Sequence, residues 1–276
     1  MNVTGIITKK RQPRVSGKTI VDKACDDRTI ERVEEKYLIT KEEKTALLKK
    51  IEKNLKHDEF YKEEVLSIYF DTKNSDLAIN SIERPAFREK LRARMYKMPK
   101  GKSDVFLEVK SKVVVKKTKI GNKRRLILKE RDFEKFLKGE SLISLAEKSH
   151  KGEFQQLQIA RELAYLMDYY GLEPRLFIAA DRVAFKGRDN PEFRLTFDEN
   201  LRFREKDLHF KKSTKCEKYF PSTDSPKNSI IMEVKTMNAM PPWFVAELSR
   251  LKIYPTRFSK YGKIYQLINE RNQKNV

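Results

Sequence analysis

Arg88, Lys90, Arg92 and Arg94 stand at every second position of the segment Phe87-Arg88-Glu89-Lys90-Leu91-Arg92-Ala93-Arg94-Met95. Side chains of a strand alternate between its two faces, so these cations share one face while Leu91, Ala93 and Met95 share the other. The same parity recurs along the chain. Glu34 and Lys36 share a face opposite Val33 and Tyr37, and Glu108 and Lys110 one opposite Leu107 and Val109. Arg182 lies opposite Val183 and Phe185, and Arg194 opposite Phe193, Leu195 and Phe197. Glu233 and Lys235 share a face opposite Met232 and Val234. Arginine offers a planar fork for pairs of phosphate oxygens, and lysine a point charge. Glutamates among such bases suit phosphate only if a divalent cation bridges carboxylate and phosphate oxygens. The chemistry suggested is metal-assisted binding of a nucleoside triphosphate or a longer phosphate chain. Phosphoryl transfer there needs positioning and charge stabilisation and no protein nucleophile. His57, His150 and His209 occupy no catalytic setting and read as surface or satisfied histidines. Gly17-Lys18-Thr19 has the ending of a phosphate-binding loop, but Gln12 stands where the earlier glycine is required and no apolar strand precedes it.

The elements that must carry these residues follow from periodicity. Ile30–Ile39 predicts a strand. Thr40 with Glu43 predicts a capping box opening a helix that runs to about Leu55. Further strands are predicted at Val65–Asp71, Phe87–Tyr96, Asp104–Val115, Asn122–Lys129, Leu176–Phe185, Phe193–Phe197, Leu201–Arg204 and Ser229–Thr236. Met98-Pro99-Lys100-Gly101 predicts a hairpin turn between the third and fourth of these strands, Phe87–Tyr96 and Asp104–Val115. Helices are predicted over 131–170, with an amphipathic run from Phe154 to Tyr170 ended by Gly171, and at Trp243–Arg250 and Lys260–Asn269. This is an α+β pattern with an antiparallel sheet. Several strands with one charged face would leave much uncovered charge on a flat sheet. Closing the sheet removes its edges and turns the charge inward, where only an anion or interleaved glutamates can compensate it. A closed antiparallel β-barrel with flanking helices is therefore expected.

Composition sets the outer limits. The 276 residues include 61 Lys and Arg against 40 Asp and Glu, a net charge of +21. Such a balance attracts polyanions. Residues 1–29 are polar and basic without periodicity and read as a disordered tail, with 30–270 as one domain. Residues 211–228 read as a polar, lysine-rich loop. Cys25 and Cys216 lack metal spacing and read as free thiols. No stretch approaches the ~20 apolar residues of a membrane span, and no signal peptide is seen, so a cytoplasmic protein is expected.

Seven short motifs occur in a fixed order: Arg32-Val33-Glu34-Glu35-Lys36-Tyr37, Lys90-Leu91-Arg92-Ala93-Arg94, Glu108-Val109-Lys110, Asp181-Arg182-Val183-Ala184-Phe185, Arg194-Leu195-Thr196-Phe197-Asp198, Ile231-Met232-Glu233-Val234-Lys235 and Phe258-Ser259-Lys260-Tyr261. In this the chain resembles the VTC domain, the polyphosphate polymerase domain within the triphosphate tunnel metalloenzymes, over roughly 30–268. The resemblance implies an eight-stranded tunnel and a Mn²⁺- or Mg²⁺-dependent transfer of the γ-phosphate of ATP to a growing inorganic polyphosphate chain. It implies catalytic roles for Arg92, Arg94, Arg182 and Arg194, and substrate contacts from Lys36, Lys110, Arg257, Ser259 and Lys260. Glu233 matches the metal ligand, with Glu34 and Glu108 as further candidates. Arg88 and Lys90 are left as guides near a tunnel mouth. Two positions depart from the pattern. Arg32 replaces the first glutamate of the superfamily's opening motif, and Arg257 stands where the family has a lysine. The polyphosphate-sensing domain and membrane helices of the fungal members are not found in this sequence, so coupling to transport, if any, would need a membrane-protein partner. Two alternatives stay open: a triphosphatase that uses water as acceptor, and a non-catalytic module binding polyphosphate or nucleic acid. No stacking platform of aromatics is seen, so nucleic acid is not expected as the main ligand.

Overall fold

The charged–apolar alternation builds one long antiparallel sheet. The computed structural model describes residues 32–96, 104–115, 118–210, 215–221, 229–237 and 239–274. The basic tail, Cys25, the turn at 98–101 and most of the lysine-rich loop lie outside these residues.

The strands are β1 (Arg32–Ile39), β2 (Leu55–Asp71), β3 (Phe87–Tyr96), β4 (Asp104–Val115), β5 (Thr118–Lys129), β6 (Glu173–Gly187), β7 (Arg194–Arg204), β8 (Glu217–Lys218) and β9 (Ile230–Met237). The helices are α1 (Lys41–Ile51), α2 (Asp76–Glu83), α3 (Glu130–Leu137), α4 (Leu142–Ser149), α5 (Phe154–Tyr170), α6 (Pro242–Arg250) and α7 (Lys260–Lys274). The predicted capping box opens α1: the Glu43 amide donates to Thr40 Oγ1 at 3.1 Å, and the Thr40 amide to Glu43 Oε2 at 2.7 Å. α1 ends earlier than its periodicity suggests, and β2 starts at Leu55. The first half of β2 is rich in charge and pairs with β6 across an irregularity between His57 and Lys62, which hides its period in the sequence. The predicted strands Phe193–Phe197 and Leu201–Arg204 are one strand, β7. No described helix is long and apolar enough to cross a membrane.

Strand order is β1-β9-β7-β6-β2-β3-β4-β5, with β8 beside β7. The apolar face of β2–β5, including Ile68, Leu91, Ala93, Leu107 and Leu126, packs under Phe133, Ala146 and Leu163 of α3–α5. The apolar face of β1, β9 and β7 packs under Leu47 and Ile51 of α1 and Phe244 and Leu248 of α6. The opposite, charged face curls inward until Lys110 of β4 meets Glu34 of β1 at 3.2 Å.

The expected closed barrel does not form. β1 and β5 are the two ends of the strand order and share no backbone ladder. Each of these edges bonds to groups that are not strands. On β1, the Lys36 carbonyl accepts from the Thr256 amide at 2.6 Å, so the connection before α7 occupies that edge. On β5, the Ile127 amide donates to Gln156 Oε1 at 3.0 Å, Gln156 Nε2 donates to the Arg125 carbonyl at 3.3 Å, and His150 Nε2 donates to the Ile127 carbonyl at 2.5 Å. Backbone groups need partners but not strand partners. His150 thereby has a structural role through its Nε2.

One region of the inner face is apolar and is filled by α7. Phe258, Tyr261 and Ile264 pack with Tyr69, Leu176, Ile178, Phe203 and Ile231. Tyr261 stacks on Tyr69, with ring centroids 4.5 Å apart. Its hydroxyl donates to Asp71 Oδ2 at 2.5 Å. Asp71 is fully buried and also accepts the Leu77 and Ala78 amides of α2, both at 2.9 Å. α7 approaches α2 closely: a Cβ on Gly262 would lie 3.0 Å from Ile82 Cγ1. Tyr261→Phe keeps the ring and deletes one hydrogen bond to a buried carboxylate. Urea denaturation should show a loss of roughly 1.5–3 kcal/mol. Unchanged stability would mean that this bond does not hold α7.

Candidate active site

Register fixes which charges meet. In the β2–β5 half, Tyr69, Arg92, Glu108 and Arg125 are successive cross-strand neighbours. Glu108 is 1% exposed at its side chain. Arg92 donates to its Oε2 through Nε at 3.0 Å and Nη2 at 2.9 Å. Its Oε1 accepts from Arg125 Nε at 2.8 Å and lies 2.7 Å from Lys123 Nζ. Burial pushes the Glu108 carboxyl up, but Arg92, Lys123 and Arg94 outweigh it and hold it at about 2. With both oxygens engaged by cations, Glu108 serves as an organiser of arginines.

The other half is built on β6, β7, β9, β1 and the start of α7. Arg182 forks onto buried Asp198, Nε to Oδ1 at 2.6 Å and Nη2 to Oδ2 at 2.7 Å. Lys260 donates to the same Oδ2. Burial opposes the Asp198 charge, yet Arg182 and Lys260 hold its carboxyl well below the usual range. Glu233 pairs with Lys235 and lies 4.0 Å from Lys36 Nζ. Glu34 lies 4.0 Å from the same lysine and 3.2 Å from Lys110. Against burial, Lys235, Lys36 and Arg182 keep Glu233 ionised well below the usual carboxylate range.

The halves face each other across the curl. Lys36 Nζ donates to the Phe258 carbonyl at 3.3 Å, and Lys90 Nζ to Ser259 Oγ at 3.0 Å. Ser259 Oγ in turn accepts the Gly262 amide at 3.2 Å in the first turn of α7. Arg94 donates to Ser67 Oγ at 3.4 Å and has no ion-pair partner among the described residues. Its guanidinium is disfavoured first by burial, then by Arg92, with Arg182 further contributing. Cations outnumber carboxylates on this face, so it is organised to receive an anion.

The structure thus brings together Lys36, Lys90, Arg92, Arg94, Lys110, Arg182, Ser259, Lys260, Glu34, Glu108 and Glu233. Arg194 sits at an exposed end of the face, held by Asp58. Arg257 is exposed on the connection before α7. Sequence reasoning assigned no role to Asp198, Lys123, Arg125 or Lys235. Parity could have found them: Asp198 shares a face with Arg194, and Lys123 and Arg125 alternate with Leu126 and Leu128. Lys90 carried the right parity, but only the packing of α7 sets it against Ser259.

Residues 31–269 match the VTC domain family. The chain belongs to that family. It is also 26% identical over 222 residues to the vacuolar transporter chaperone complex subunit 4 of Trypanosoma brucei brucei. That alignment covers 72% of this chain and 27% of the relative, so the chain spans about a quarter of the relative's length. A solved structure from Pyrococcus horikoshii OT3 aligns with 86% of this chain and 99% of its own, at 14% identity and a TM-score of 0.44.

Among the described residues of this VTC domain, no cluster of three or more Asp, Glu, His or Cys could hold a metal by itself. Glu108 does not fit a metal ligand, since cations take both its oxygens. Glu34 and Glu233 do fit a cation of the magnesium type, which binds through one or two carboxylates and completes its shell with water and substrate phosphates. They flank Lys36 and carry charge on the inner face.

Proposed function

We propose that this VTC domain is a metal-dependent polyphosphate polymerase that transfers the γ-phosphate of ATP to an inorganic polyphosphate chain. The observation that carries the reading is the inner face itself, where arginines and lysines outnumber carboxylates among the described residues. A terminal oxygen of the acceptor chain forms a bond to the γ-phosphorus. The bond from that phosphorus to the β–γ bridging oxygen breaks, and ADP leaves with its electron pair. Arg92, Arg94 and Arg182 stabilise the charge on the transferred group, and Lys36, Lys110, Ser259 and Lys260 position the phosphates. Arg194 and Arg257, at exposed positions, suit the steering of incoming anions. A bound Mg²⁺ or Mn²⁺ at Glu233 and Glu34 would supply charge neutralisation to phosphate oxygens. A membrane-protein partner for transport belongs to the same proposal.

The test is purified protein with ATP and Mn²⁺, with product sized on a stained urea gel. Polymer is expected. Orthophosphate without polymer would replace the polymerase with a triphosphatase, and neither product would leave a binding module. Glu233→Gln should lower the rate at least about a hundredfold, since a metal contributes several kcal/mol to such charge stabilisation. It should also raise the Mn²⁺ concentration needed for half-maximal rate. An unaltered Mn²⁺ dependence would remove Glu233 from metal binding.

A further inference from the structure

Lys90 differs from three other lysines of the inner face. Lys110 is bonded to Glu34, Lys123 to Glu108 and Lys260 to Asp198. Lys90 has no ion-pair partner among the described residues, and its amine donates to the Ser259 hydroxyl at 3.0 Å. In register it stands opposite Lys110, which stands opposite Lys123, so three strands place lysines side by side there. The charged groups that act on it most are Lys36 of β1, Arg92 of its own strand, and Lys110 and Lys112 of β4. From α7 it meets Ser259. An amine packed among cations with only a hydroxyl for company is costly to the fold, unless an anion arrives.

We propose that Lys90 is a direct phosphate contact of this site, acting beside Ser259. This rests on the reading of the inner face as a triphosphate site. Burial, reinforced by Lys36, Arg92, Lys110 and Lys112, pushes the Lys90 amine down to about 7. A phosphate oxygen placed against it favours the charged form. The amine is thus mostly neutral at pH 8 when the site is empty and ammonium when it is filled. Substrate binding takes up a proton at this residue. A lysine that only supports the fold would keep one protonation state throughout.

The test is calorimetric titration of the whole chain with metal-free tripolyphosphate at pH 8, in two buffers of different ionisation enthalpy. Wild type, Lys90→Met and Lys90→Arg are compared, with folding checked by circular dichroism. Proton exchange by the ligand itself is common to all three proteins, so differences between them report on position 90. Wild type should take up as much as about one proton more than either variant. Lys90→Met should bind about tenfold more weakly, the loss of one charge-assisted hydrogen bond. Lys90→Arg, charged at every pH, should keep most of the affinity without the uptake. Equal affinity and equal uptake in wild type and Lys90→Met would overturn the assignment while leaving the triphosphate site standing. Wild type that binds no tripolyphosphate would overturn both.

Discussion

Asp198→Ala should lower the unfolding free energy by roughly 3–5 kcal/mol, the cost of removing one partner from a buried ionic cluster. Asp198 is 3% exposed and is gripped by the Arg182 fork and by Lys260. Without it, the half-buried Arg182 and Lys260 face each other, and Arg182 also faces Arg94. Urea denaturation measures the loss, and tripolyphosphate should restore part of it, because an anion bound to the folded state stabilises that state. A variant as stable as wild type would show that water already screens the cluster. The same pairing gives a pH dependence. Asp198, Glu233 and Glu108 all have folded pKa values below their ordinary range. Their contribution is therefore complete above about pH 5, beyond the unfolded carboxylate pKa values near 4, and is lost as acid drops the pH toward the folded values. The Asp198→Ala protein should lose stability less steeply below pH 4 than wild type does.

The double variant Arg92→Ala, Arg94→Ala should bind tripolyphosphate at least about a hundredfold more weakly, since each arginine offers charge-assisted hydrogen bonds of roughly 1.5–3 kcal/mol. It should remain folded. Glu108 keeps Arg125 and Lys123 when Arg92 is gone, and Arg94 leaves no carboxylate behind. This separates the arginines from Asp198: their loss falls on binding, and that of Asp198 falls first on stability. Calorimetric titration beside thermal unfolding distinguishes the two. Wild-type affinity in the double variant would remove both arginines from the phosphate site. Collapse of the fold would instead make them structural partners of Glu108 and Ser67.

Much of this arrangement is legible without coordinates. Parity assigns Arg92, Arg94, Glu108, Lys110, Glu233 and Lys36 to charged faces, because alternation is a property of each strand's own backbone. The Thr40–Glu43 box is local in the same way. The motifs in order identify the family. Other features are not local. Glu108 resembles Glu233 in parity and in its lysine two residues on, yet one is saturated by Arg92, Arg125 and Lys123 while the other stands beside Lys36 and Lys235. The difference lies in register between strands far apart in sequence.

The sequence by itself determined the charged and apolar faces, the family and the kind of ligand such a face attracts. Tertiary structure alone decided that the sheet stays open, with Thr256 bonded to one edge and Gln156 and His150 to the other. It alone decided where Lys90 points, because α7 returns Ser259 to a strand 169 residues earlier. Edge satisfaction and helix docking depend on groups brought together only by folding, and no period in the chain encodes them.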